Sequence, residues 1–161
     1  MPRTALTVPF LAFLLACGAN LAEQEKAARA ALDARDFAKA QQLAEAALTS
    51  PEAAKDAPTA WRLEQIRLES LANEKNGGEV TSSLERLAGT YPTQVTAALY
   101  RSLADKLKTA GDNSGAIDVL SKGDKRFPAD HQAFVDAIQA LQSEGNLDPA
   151  EIERLKALGY L

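Results

Sequence analysis

The chain repeats itself toward its C-terminal end. Gly111 and Gly145 stand 34 positions apart, and so do Ala116 and Ala150. A fixed period of this size means one supersecondary unit stacked on itself, because each unit buries its apolar face only against its neighbours. Composition identifies the unit. Ala occurs 32 times and Leu 22 times, against 5 Val and 4 Ile. Ala and Leu lead the helix scale, whereas β-branched residues favour sheets, so the unit is helical. Aromatics make up only 6%, which leaves Leu and Ala to build the core. Ala lets helices approach closely but buries little area, so many helix contacts are needed.

Helices are expected near 21–34, 37–49, 59–75, 79–89, 94–110, 114–126, 131–144 and 149–158. Breaks fall at Ser50-Pro51, Ala57-Pro58, Gly77-Gly78, Tyr91-Pro92, Gly111-Asp112, Phe127-Pro128 and Gly145-Asn146. Proline opens or follows helices and glycine ends them. Asp148, Pro149 and Glu151 form the clearest start signal, an N-cap with the makings of a capping box.

The stretch "AALYRSLADKLKTAGDNSGAIDVLSKGDKRFP", 97–128, closely resembles the 34-residue tetratricopeptide repeat. With Ala97 as position 1, Tyr100 and Leu103 take the large position 4 and the apolar position 7. Ala104 takes the small position 8, and Gly111-Asp112 the turn at 15 and 16. Ala116, Leu120, Gly123 and Pro128 follow at 20, 24, 27 and 32. The unit from His131 carries Phe134 at position 4, Ile138 at the small position 8 and Leu141 at 11. The unit from Leu21 fits through Ala28, Ala31, Ala40, Ala44 and Ala47, with Arg35 where the family has glycine. The second unit fits through Trp61, Leu68, Val80, Leu84, Leu87 and Pro92, with extra residues expected between its helices around Asn76-Gly77-Gly78. The resemblance implies an all-α fold: a right-handed superhelical stack of antiparallel helix pairs, an α-solenoid of four pairs at 21–51, 58–92, 97–128 and 131–161.

Before the repeats, "MPRTALTVPFLAFLLACGAN" reads as an export signal with a basic start and an apolar stretch. The apolar part is short for a bilayer span, which needs about 20 residues. Its end, Leu14-Leu15-Ala16-Cys17, resembles a bacterial lipoprotein signal. That resemblance implies cleavage before Cys17, diacylglycerol on its sulfur and an acylated new amino terminus, with 17–20 as a short tether. Gly18 follows the cysteine where an inner-membrane retention signal has Asp. The expected place is therefore the outer membrane, facing the periplasm. A lone cysteine makes no internal disulfide, and two or three buried acyl chains hold a protein firmly on a bilayer. The alternative is ordinary cleavage after Ala19, giving a soluble periplasmic protein.

The net charge is −4 with both signs mixed, and no long basic run exists, so nucleic acid is not an expected partner. His131 is the single histidine and Cys17 is assigned to lipid, which leaves no Cys–His pair and no cluster of zinc ligands. His131 reads as an exposed first-turn residue. Glu23/Lys26 and Glu64/Arg67 read as surface pairs. No enzymatic activity and no cofactor is expected. In tetratricopeptide proteins the outward positions of each first helix line a concave ligand groove. Residue by residue, those positions are Arg62, Leu63 and Ile66, then Arg101, Ser102, Asp105 and Lys108, then Gln132, Val135, Asp136 and Gln139. A mixed surface of this kind suits a peptide or protein segment. Cochaperone-type members grip a C-terminal carboxylate through paired Lys and Asn; Arg101 and Lys108 stand here without the Asn partners, so that activity is not expected. The functional expectation is a membrane-tethered adaptor for a protein partner. The alternative is a self-associating scaffold of an envelope or pilus assembly.

Overall fold

A computed structural model describes residues 20–144 and 147–161. Cys17 and the signal segment, and the break at Gly145-Asn146, lie outside the described residues. Within them the protein is all-α, with no strand. The helices are α1 (Leu21–Asp33), α2 (Phe37–Leu48), α3 (Ala57–Asn73), α4 (Gly77–Thr90), α5 (Ala97–Ala110), α6 (Asn113–Arg126), α7 (His131–Ser143) and α8 (Pro149–Leu158), with a 3₁₀ turn at Pro128–Asp130. Each expected helix is present. None of the described helices is long and apolar enough to cross a membrane.

Side-chain caps set most of the starts. The oxygens of Asn20, Asp36, Asp56, Thr96, Asp112 and Asp148 each accept from the backbone N–H three residues on. At α8 the capping box closes in both directions, with 2.8 Å from Glu151 N–H to Asp148 and 2.8 Å from Asp148 N–H to the Glu151 carboxylate. Thr96 capping explains why α5 starts at Ala97 rather than near 94.

One turn recurs three times between paired helices. Arg35, Lys75 and Gly111 adopt left-handed backbone, with φ of 60°, 61° and 90°. The next residue then donates to a carbonyl five back: Asp36 to Ala31, Asn76 to Leu71 and Asp112 to Leu107. This is a Schellman ending, and its last residue is already the N-cap position of the following helix. Arg35 thus takes the backbone shape that glycine takes in the third pair. The expected insertion around Asn76-Gly77-Gly78 is not there. Gly77 and Gly78 open α4, the turn has ordinary length, and the additional residues lie in α3, which runs 17 residues. A Cβ on Gly115 would stand 2.8 Å from Gly77 Cα. Gly77 is therefore a point of close helix approach, not a turn residue. There Asp112 accepts from Gly115 N–H at 2.8 Å and from Gly77 N–H at 3.0 Å, joining the starts of α6 and α4.

Packing is repeat-like. α1 lies on α3, α3 on α5 and α5 on α7, while α4 lies on α6 and α6 on α8. Polar contacts between neighbouring units keep a near-constant offset: 37 residues for Arg62–Glu25 and Lys122–Glu85, 36 for Lys108–Glu144, Arg154–Asp118 and Tyr160–Asp124. The buried side chains form two clusters. The first joins α1, α2 and the start of α3, down to Leu63 and Ile66. The second begins at Leu68 and runs to Leu155.

Candidate functional site

The expected groove residues divide sharply. Ile66 is fully buried in the first cluster, as is Leu63, so neither offers a surface to a partner. The correction has a simple cause. α3 packs on α1, α2, α4 and α5, so it needs apolar residues on more than one face, and two of these fall at positions expected to point outward. Arg62 is exposed but engaged, donating to Glu25 at 3.2 Å and to Thr59 Oγ1 at 2.7 Å. On α7, Gln132 and Gln139 are exposed and Val135 is partly exposed. Gln132 donates to Asp136 at 2.8 Å.

The structure brings together Arg101, Asp105 and Lys108. Spacings of four and three residues put them on one face of α5. They line a pocket of about 100 Å³ whose other walls are Ala104, Ala116, Leu120, Ala137, Ala140 and Leu141. Lys108 Nζ lies 3.0 Å from Asp105 and 3.2 Å from Glu144. Hydrogen bonds to Asp105 and then to Glu144 raise the pKa of its ammonium. Arg101 has no ion partner among the described residues, and its Nε is buried without an acceptor. The apolar walls were not part of the expected site. Their signal is the run of small residues at helix crossings, which reads in a sequence simply as tight packing.

Two further polar clusters depart from or extend the sequence expectations. Glu64/Arg67 is not a surface pair. The Glu64 side chain is only 8% exposed and Arg67 14%. Arg67 spans three helices, reaching Glu45 of α2 at 2.9 Å, Glu79 of α4 at 2.6 Å and Ser83 of α4 at 2.8 Å. Arg86 holds Glu64 at 2.9 Å. At the other end, Asp124 accepts from the Tyr160 hydroxyl at 2.7 Å, and its other oxygen lies 2.8 Å from His131 Nδ1. Gly159 turns the chain in left-handed backbone, and Tyr160 N–H donates to Leu155, closing the end of α8. The ring then reaches α6. No group of three His, Cys, Asp or Glu side chains that could hold a metal ion occurs among the described residues. No known protein family, curated protein or solved structure matches this chain.

Proposed function

We propose that the chain is an interaction module: a right-handed tetratricopeptide-like stack whose first helices, α1, α3, α5 and α7, present a concave surface to a segment of a protein partner. One observation carries this reading. Side chains of α5 and small residues of α7 meet around an open pocket with Arg101, which has no ion partner among the described residues, at its edge, whereas Lys106–Glu69 and Lys122–Glu85 are matched ion pairs between units. The recurrent Schellman turn and the near-constant contact offset support the stacked arrangement. Cys17 carries the lipid that tethers the module to the envelope membrane, on the resemblance of Leu14-Leu15-Ala16-Cys17 to a lipoprotein signal.

Photo-crosslinking in cells tests the surface. A crosslinking residue at Asp105 or Gln139 is expected to trap one partner in common, and the same residue at Ser82, exposed on α4, is expected not to. Equal trapping from all three sites removes the groove reading. Cys17→Ser is expected to move the protein out of membrane fractions, and unchanged sedimentation removes the tether.

A further inference from the structure

Resting on that reading, we propose that the pocket between α5, α6 and α7 takes an aliphatic side chain of the partner segment, with an acidic residue beside it whose carboxylate meets Arg101. Size limits the first half. A cavity of about 150 Å³ accepts benzene, whereas this one measures about 100 Å³. The pocket is smaller and open on one side, and its lining of alanine and leucine favours a branched aliphatic group. The floor matches: Ala104, Ala116, Ala137 and Leu120 give contact without a polar atom to satisfy.

Charge fixes the second half. Lys108 is already held by two carboxylates, those of Asp105 and Glu144. Arg101 is left as the unmatched cation on the rim, partly buried, with one donor lacking an acceptor. A buried Nε–H without an acceptor is unfavourable, and a carboxylate is the group whose planar oxygens fit a guanidinium. Asp105, with its side chain 68% exposed, shares the rim and opposes an incoming anion. It therefore sets the direction of one variant. A single free cation beside an apolar hole selects the pair, aliphatic next to acidic, rather than a highly charged tail.

The test is a randomised peptide library displayed on phage and panned on the full-length protein in detergent micelles. Enriched peptides are expected to carry Leu, Ile or Val next to Asp or Glu. Synthetic copies are expected to bind about tenfold more weakly to Arg101→Gln, a loss in proportion to one charge-assisted hydrogen bond. Asp105→Asn is expected to bind them more tightly. Ala140→Leu, which fills the hole from an exposed helix position, is expected to abolish binding with no fall in melting temperature. Enrichment without acidic residues, no enrichment, or peptides indifferent to Arg101→Gln overturns the proposal. The crosslinking at 105 and 139 reads the groove independently, because it traps a partner whatever its sequence; a trapped partner with no acidic preference sinks this inference and leaves the groove standing.

Discussion

The two ends of the molecule use the same turn and different cores. Seven of the eleven buried residues in the first cluster are alanine, from Ala28 to Ala60. In the second cluster only five of twenty-one are, and Tyr100 and Phe134 fill its centre. Alanine buries little area beyond its methyl group, so each contact in the first cluster contributes less than a Leu or Phe contact in the second. The first pair compensates by closeness: α1 packs along α2, and both pack on α3. It also relies on polar stitches, Arg62 to Glu25 and Arg67 to Glu45. Backbone topology alone therefore does not distribute stability along this chain; the residue volumes at the crossings do. The last pair teaches the converse. α7 and α8 each pack on α6 more than on one another, and α8 buries only Leu155, so the terminal helix is held by what lies beneath it.

The largest expected effect sharpens this contrast. Phe134 is fully buried, so Phe134→Ala should lose about 3–5 kcal/mol, read from urea unfolding. Ala44, equally buried in the first cluster, has little to lose; Ala44→Gly should cost about 1 kcal/mol. Native-state hydrogen exchange should show α1 and α2 amides opening at lower free energy than those of α5 and α6. Equal protection in both pairs would break the comparison.

Next in size is an overpacking test at the same centre. A Cβ on Gly123 would lie 2.5 Å from the Phe134 ring and 3.0 Å from Tyr100 Cβ. Gly123→Ala should therefore destabilise by about 1–3 kcal/mol, although alanine is the commoner helix former. A gain in melting temperature would mean that the aromatic ring has room to move.

Much of this was legible in the sequence, and the exceptions share a cause. Alternating helix signals and the 34-residue offset place all eight helices, and Asp148 with Glu151 marks its own capping box. Gly77-Gly78 misleads because glycine serves two ends: it relaxes a turn, and it removes a side chain where backbones cross. Only the position of Gly115 opposite distinguishes them. Ile66 misleads because a family position states which way a side chain points in an average unit, and Glu64 because a three-residue spacing says nothing of burial; α3 is enclosed by α1, α2, α4 and α5. In the candidate site, the charged triplet of α5 was readable only through the resemblance to the tetratricopeptide repeat, as outward positions of its unit. The apolar floor was not, since it is assembled from three helices.

A smaller, stabilising change bears on the turn that both ends share. Arg35 and Lys75 hold left-handed backbone that disfavours a side chain by about 1–2 kcal/mol. Glycine relieves that strain but adds freedom to the unfolded chain. Arg35→Gly and Lys75→Gly should each stabilise by about 0.5–1 kcal/mol, the first mostly slowing local opening of α1 and α2. Destabilisation by either would show that the side chain does more than tolerate the turn.

The smallest effect tests the terminal helix, and it depends on pH. Burial, followed by the hydrogen bond to Asp124, raises the Tyr160 hydroxyl to a pKa of about 12. In the unfolded chain a tyrosine loses its proton near pH 10. The folded state thus holds the proton longer, and the neutral form is the one that contributes. The contribution is fully present below about pH 10 and is lost as the pH rises through about 12, because the unfolded chain then gains by releasing a proton that the folded chain retains. The ring is only partly buried, so the step is modest. Tyr160→Phe should lower the melting temperature slightly at pH 7 and remove the alkaline step, leaving the two proteins closer in stability at pH 12. If the difference between them does not narrow with rising pH, the tail is not held by its hydroxyl on Asp124, and α8 owes its place to apolar packing around Leu155 and to Arg154 on Asp118 and Ser114.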